Sequence, residues 1–329
     1  MTTSRQACAG RPGGRSTLRR VAVRIWLALR DRRGTGASGA GARHHGRGRD
    51  QDHHGSHGDG GDHGRGGNQG HGGDDGGISR TSQAVALTRV RMERPHSPGG
   101  DPGAQARLCE GMRPTPGTRL RPMLTARTRF FDQSVLGAIA RNVRQIVICG
   151  AGYDDRALRF RTPGVRFFEL DQGPTQADKA RRLHAMDTDL SGLTLGTADF
   201  RRDDVAAVLA GCGHDAGQPT LFLCEGVLIY LDQATVARFL SGLASCAAPG
   251  STLAVSLAVH DEDLPTERVV TAANARRRAA RTEPWQTILP ERAQLGLLQS
   301  AGWHADQTVD AADLEKSAPR GRTLLVLAR

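Results

Sequence analysis

Apolar residues in this chain gather into short runs that alternate with helical periodicities, and the alternation starts only after residue 78. Residues 146–149 (IVIC) are apolar at every position, the pattern of a strand buried on both faces of a parallel sheet. Residues 165–171 (VRFFELD), 194–199 (TLGTAD), 220–226 (TLFLCEG) and 251–257 (STLAVSL) read as four more strands, and 303–309 with 322–328 as a closing pair. Between them, 126–143 place Phe130, Val135, Ile139 and Val143 at helical spacing. Residues 175–186, the stretch from Tyr230 to the Pro249-Gly250 stop, and 290–301 are helical too. An earlier helix carries Ala84, Leu87 and Val90 and ends at the Pro/Gly cluster of 95–102. Strands alternating with helices predict an α/β fold: a seven-stranded, mostly parallel sheet with helices on both faces and an antiparallel last pair. The arginine-rich stretch 260–281 interrupts the alternation and reads as an inserted helical lid.

The first strand breaks at Gly150-Ala151-Gly152. A Gly-x-Gly turn lets the backbone approach a ligand where a Cβ would collide, so this is the first half of a nucleotide-type site. Asp171, closing the second strand, falls where it accepts hydrogen bonds from ribose hydroxyls. A dinucleotide fingerprint has a third glycine where this chain has Asp155, whose carboxylate would face an incoming pyrophosphate. The turn therefore favours a ligand with a ribose and no phosphate, such as S-adenosyl-L-methionine. Glu225 ends an apolar strand and needs a cation, which the ammonium of a bound amino acid would supply. Arg127 or Arg129, on the helix leading into the first strand, can fork onto a ligand carboxylate. Asp199 and the Phe200 amide stand where the third strand gives way to a loop and can read an adenine, while Asp203 and Asp204 suit a helix cap better.

Composition confines all of this to residues 79–329. Residues 1–78 are dominated by Gly, Arg and His with few large apolar side chains, and disorder is expected there. Their 13 arginines against 7 aspartates hold six of the chain's net eleven positive charges, so the basic balance describes this tail more than the domain. Seven of the 12 histidines lie there at irregular spacing that fixes no coordination geometry, and the Gly/Arg/His runs carry no aromatic rings to stack on bases. Neither a metal nor a nucleic acid is expected as a ligand. The apolar stretch inside residues 19–33 is broken by Arg24 and falls short of the ~20 residues that span a bilayer, so no membrane partner is expected. Six cysteines at 8, 109, 149, 212, 224 and 246 form no Cys-x-x-Cys pair; Cys149 and Cys224 read as buried reduced thiols, a cytoplasmic pattern.

The ordered set ARTRFFD (126–132), IVICGAGYDDRALRF (146–160), FFELDQ (167–172), CEGVLIYL (224–231), EPW (283–285) and AGW (301–303) resembles the leucine carboxyl methyltransferase family, in its bacterial branch of S-adenosyl-L-methionine-dependent methyltransferases. SRTSQAVAL (79–87) and Asp101-Pro102 resemble the start of that branch's domain. The resemblance implies a class I methyltransferase, Rossmann-like sheet with S-adenosyl-L-methionine as cofactor. It implies that Arg127 holds the methionine carboxylate, that Gly150 and Gly152 form the turn beneath the methionine, and that Asp171 takes the ribose hydroxyls with Glu169 a lesser contributor. It also implies that Asp199 and Phe200 contact adenine, that Glu225 lies near the methionine amine, and that Tyr230 lines the methyl-transfer site. The chain departs from the family's GAGLDTRA by placing Tyr153 and Asp155 at two positions beside the cofactor, and has Gly173 where a bulkier residue or proline is usual.

The reaction implied is an in-line displacement onto a small-molecule acceptor, driven by positioning in a closed site. A carboxylate acceptor is already ionised and needs no base, whereas a hydroxyl needs one. His260 is the candidate base, and an ordinary loop histidine is the plainer reading. Acceptor choice would rest with the lid, residues 268–281, and the segment before Arg127. Two other readings stand beside this one. An NAD(P)-dependent oxidoreductase is opposed by Asp155 and by the lack of a Tyr-x-x-x-Lys pair. A non-catalytic ligand- or RNA-binding module would show salt-sensitive binding through the tail.

Overall fold

The computed structural model describes residues 77–113, 121–275, 277 and 283–329. The expected disorder of 1–78 lies outside them except at 77 and 78, as do residues 276 and 278–281 of the lid.

Five strands run parallel: β1 (Gln145–Cys149), β2 (Arg166–Asp171), β3 (Leu193–Thr197), β4 (Thr220–Cys224) and β5 (Thr252–His260). Two more, β7 (Ala305–Asp310) and β8 (Thr323–Ala328), complete the order β3-β2-β1-β4-β5-β8-β7, with β8 antiparallel to both neighbours. A two-residue β6 (Leu289–Pro290) pairs with the end of β5 off this path, an eighth strand too short to show as an apolar run. This is a Rossmann-like, mostly parallel sheet with an antiparallel last pair, as the sequence predicts. The chain moves outward from β1 through β2 to β3, then returns to place β4 on β1's other side. That reversal opens a crevice at the carboxyl ends of β1 and β4, where open α/β sheets bind their ligands.

Alternation along the strands builds two apolar layers. Val147, Cys149, Phe168, Phe222, Leu253 and Val326 face one side, and Ile146, Ile148, Phe167, Leu221, Leu223 and Leu325 the other. The first layer is covered by α6 (Val205–Gly211), α7 (Gln233–Ser245) and α9 (Glu291–Ser300), the second by α3 (Arg121–Ala140) and α10 (Ala311–Leu314). In α7, Val236, Phe239, Leu240 and Leu243 form one stripe, and Asp232 caps the start by accepting from the Thr235 N–H. Each such side chain contributes about 1.5–3 kcal/mol on burial. A third cluster joins α1 (Arg80–Val90), α2 (Ala104–Leu108) and α5 (Gly173–Ala185) around Tyr153.

Several boundaries differ from expectation. β3 ends at Thr197, so Asp199 lies in the following loop, and Asp204 caps α6 as expected. Trp303 precedes β7 and is a core residue whose indole donates to the Leu240 carbonyl. The segment after the glycine turn makes only the single turn α4 (Arg156–Arg159), because its charged side chains turn inward instead of forming an amphipathic surface. The lid supplies one described helix, α8 (Thr266–Ala275), with no buried residue.

Candidate active site

The chain leaves β1 through Gly150 and Gly152, at φ +67° and +49°. A Cβ at 150 would lie 2.3 Å from Val227 Cγ2, and one at 152 would lie 2.7 Å from Ser82 Cβ, so both positions need glycine for conformation and for space. The Gly152 N–H donates to Asp171 Oδ2 at 2.6 Å and the Gln172 N–H to Oδ1 at 2.7 Å. Each oxygen has further acceptor capacity, and Asp171 is only partly covered, so the carboxylate is fixed in place and still able to accept from a ligand. Burial pushes its pKa up, the two backbone N–H groups draw it back, and the Glu283 carboxylate adds a smaller upward push. The Glu283 carboxylate accepts from the Thr81 hydroxyl, next to the Ser82 that packs on Gly152, which places the EPW segment at the same edge.

Beneath the turn lies a buried ion-pair network. Arg156, fully buried, donates to Asp132 Oδ1 at 2.7 Å, to Asp154 and to Glu225 Oε2 at 2.7 Å. Arg94 forks onto Asp132 with two contacts of 2.9 Å and reaches Asp155 at 2.6 Å, and Arg159 holds the other Asp155 oxygen at 2.7 Å. Arg89, from α1, bridges Asp154 at 3.1 Å and Glu225 at 2.8 Å. Burial alone would raise these carboxyls, but the guanidinium groups outweigh it. Asp154 is held at about 2, Asp155 below its ordinary value, and Glu225 well below the usual carboxylate range. For Arg156 and Arg94, burial works against the charge and their carboxylate partners prevail, raising both.

At the crevice, Arg127 donates through Nε to Glu225 Oε1 at 2.9 Å. Gly226, at φ +71°, lets the guanidinium lie against the backbone: a Cβ there would meet Nη1 at 2.7 Å. Among the described residues no acceptor takes Arg127's two Nη groups. Five guanidinium groups (Arg89, Arg94, Arg127, Arg156, Arg159) meet four carboxylates (Asp132, Asp154, Asp155, Glu225), leaving one positive charge to spare. An anion at Arg127 would complete the set, and Glu225 Oε1 retains room for one more donor.

Arg127, Gly150, Gly152, Asp171 and Glu225 are thus brought together at the ends of β1, β2 and β4. Asp199 and Phe200 stand apart, in the loop after β3. The Asp199 carboxylate accepts from the Arg201 N–H and from the Arg202 guanidinium, and Phe200 packs on Phe239 with ring centroids 4.7 Å apart. Tyr230 closes the 3-10 turn Leu228–Tyr230, and its carbonyl accepts from Gln286 at 2.8 Å and Arg201 at 3.2 Å.

The structure corrects several expectations. Asp155 and Tyr153 do not border the crevice: Asp155 is buried between Arg94 and Arg159, and the Tyr153 hydroxyl donates to Asp178. Asp155 therefore presents no carboxylate to an incoming pyrophosphate, and that reason for excluding a dinucleotide falls. Glu169 is fully buried and paired with Lys179, so it presents no exposed carboxylate for a ribose. Glu225 meets three protein cations, so its burial does not depend on a ligand. His260 is no free base. Its Nδ1 donates to the Asp261 carbonyl at 2.8 Å, which leaves Nε2 to accept from the Thr266 hydroxyl at 3.0 Å. It borders an open depression of about 730 Å³ against β5 and α9 that is lined by none of Arg127, Gly150, Gly152, Asp171 and Glu225. Cys149 and Cys224 are buried free thiols side by side on β1 and β4. Among the described residues no group of side chains is arranged to hold a metal, and no described helix is long and apolar enough to cross a membrane.

Sequence reasoning missed Arg89, Arg94, Asp132 and Arg156. A signal existed for two of them: Arg89 lies three residues after buried Ala86, and Asp132 lies between buried Thr128 and Val135 on one helix face. A charge on a buried stripe requires a partner.

The chain is similar to known methyltransferases. The family profile described as leucine carboxyl methyltransferase matches residues 85–244. A Frankia alni protein assigned as an S-adenosyl-L-methionine-dependent methyltransferase is 34% identical over 203 residues, covering 61% of this chain and 68% of its own. A Streptomyces avermitilis protein with the same assignment is 33% identical over 240 residues, 68% of this chain and 82% of its own. Among solved structures, a protein assigned as a methyltransferase from Thermobifida fusca is similar at 18% identity and a TM-score of 0.47, over 75% of this chain and 93% of that one.

Proposed function

Because the chain belongs to the leucine carboxyl methyltransferase family, we propose that it O-methylates a small-molecule acceptor, at a carboxylate or a hydroxyl, within the crevice at the carboxyl ends of β1, β2 and β4. It is an S-adenosyl-L-methionine-dependent methyltransferase. The observation that carries the site is the Arg127–Glu225 pair seated on Gly226 beside an Asp171 carboxylate fixed over the glycine turn. The donor set fits the cofactor. Arg127's free Nη groups and the spare positive charge suit an amino-acid carboxylate, Glu225 Oε1 suits an ammonium, and Asp171 suits ribose hydroxyls. Asp199 and Phe200 would take the adenine from the β3 side.

The cofactor supplies a methyl group on a sulfonium that leaves as a neutral thioether. The protein's part is to bind, orient and exclude water. Its network is assembled on folding, so no charge has to be reorganised when the reactants arrive. With a carboxylate acceptor the new O–C bond forms as the S–C bond breaks, the electron pair stays on sulfur, and no proton moves. The products are a methyl ester and S-adenosylhomocysteine. His260 being engaged at both ring nitrogens favours this acceptor over a hydroxyl, which would need a base. We read Tyr230 as lining the transfer site. No observation favours a nicotinamide dinucleotide.

Isothermal titration of the full chain with S-adenosylhomocysteine, with NADH as comparison, tests the reading. Saturable binding of the homocysteine compound alone is expected, and binding of NADH alone would overturn it. Asp171→Ala should weaken that binding by roughly tenfold or more, the worth of a charge-assisted hydrogen bond. Asp199→Ala should weaken it less, its carboxylate being partly engaged by Arg202. A variant that binds as tightly as wild type removes that residue from the site.

A further inference from the structure

One guanidinium stands outside the buried ion-pair network. Arg277 lies over the Trp285 ring, with Cζ 3.9 Å from its centroid, and 5.9 Å from the centroid of the Tyr230 ring. It is held there from two sides. Asn274, near the end of α8, exchanges two 2.8 Å hydrogen bonds with the backbone of Trp285, and Arg277 Nη1 donates to the Glu283 carbonyl at 3.2 Å. No carboxylate among the described residues comes within ion-pair distance of it. Arg94 and Arg156 are raised by their carboxylate partners, whereas burial draws Arg277 below its ordinary value, with Tyr230 and Glu283 offsetting only part. Stacking on an indole stabilises the guanidinium face and leaves its edge, where the N–H donors are, for an anion. The Trp285 indole N–H beside it is buried with no partner among the described residues, a second unfilled donor at the same place. The segment bearing both residues belongs to the cofactor's edge of the sheet: the Thr81 hydroxyl donates to the Glu283 carboxylate, and Ser82 beside it packs against Gly152 of the glycine turn.

We propose that Arg277 anchors the carboxylate of the methyl acceptor, which makes the acceptor a small carboxylic acid; this rests on the methyltransferase reading above. One carboxylate oxygen takes the guanidinium edge and the other is left to attack the methyl group, so the residue sets specificity and position without accepting a proton.

The test uses the full chain saturated with S-adenosylhomocysteine, titrated calorimetrically with benzoate and with its neutral isostere benzamide. Wild type is expected to bind benzoate at least tenfold more tightly than benzamide. Arg277→Met should abolish that preference while S-adenosylhomocysteine affinity stays within twofold, and Arg277→Lys, which keeps the charge and loses the fork, should retain part of it. A wild type with no preference, or an Arg277→Met variant that keeps it, overturns the proposal. Failure of S-adenosylhomocysteine to bind wild type is a different result: it removes the methyltransferase reading, and the anchor with it.

Discussion

Arg156 and Arg277 stand at the same edge of one sheet in opposite circumstances. Arg156 is fully buried and shared by Asp132, Asp154 and Glu225, so its charge is satisfied as soon as the chain folds. Arg277 is half-buried, lies against aromatic rings, donates to the Glu283 carbonyl and contacts the Tyr230 side chain, with no carboxylate among the described residues at ion-pair distance. The first kind of arginine belongs to the scaffold: its partners report on folding. The second is completed by something that arrives. The charges beneath the cofactor side are therefore paired on folding except at Arg127's Nη groups, whereas on the proposed acceptor side Arg277 has no carboxylate at ion-pair distance among the described residues.

The sharpest way to break that contrast is to treat the two arginines alike. Arg156→Met leaves three buried carboxylates short of a shared donor, and should cost about 3–5 kcal/mol in urea unfolding at neutral pH. Arg277→Met should cost only about 0.5–1 kcal/mol, the worth of its stacking on Trp285. Similar losses for the two variants would mean that pairing does not divide scaffold from site.

Proton linkage separates the buried charges further. Asp154, Asp155 and Glu225 have folded pKa values below their unfolded ones. The folded state then binds fewer protons, so their contribution is full above the unfolded value near 4 and is lost as pH falls toward 2. Glu169 runs the other way. Burial pushes it up to about 7, with Lys179 drawing it back, so between about 4.5 and 7 the folded state binds more protons and stability declines as pH rises. The decline is at most about 3 kcal/mol for a shift of this size. Melting temperature followed from pH 4.5 to 7.5 should fall in wild type and stay level in Glu169→Gln. Parallel curves would show that the Lys179 pair keeps Glu169 ionised throughout.

What was legible in the sequence follows the same division. The five parallel strands and the glycine turn could be read because burial on both faces leaves uninterrupted apolar runs, and positive φ with no room for Cβ leaves only glycine. Glu225 was legible as a carboxylate in need of a cation, but its partners came from α1, α3 and α4, three segments whose approach no local spacing records. Asp155 misled for the same reason: position in a motif does not give side-chain direction, and Arg94, 61 residues away in sequence, turns it inward. Tyr230 and Trp285 were visible only as motif letters, because the guanidinium that joins them comes from two residues beyond the lid helix.

The smallest expected effect is the most discriminating about chemistry. Tyr230 adjoins Arg277, and through it the acceptor. If the acceptor is a carboxylate, Tyr230→Phe removes a hydroxyl that transfers no proton. Methyl transfer, measured as S-adenosylhomocysteine released per enzyme, should then drop by no more than about tenfold, with cofactor affinity within twofold. If instead a hydroxyl acceptor relies on Tyr230 to take its proton, the loss should be roughly 10²–10⁴-fold, the range of a deleted general base. A large loss would thus move Tyr230 from lining the site to acting in it. It would also turn the acceptor from an acid into an alcohol or phenol, for which the uncompensated guanidinium of Arg277 has no evident use.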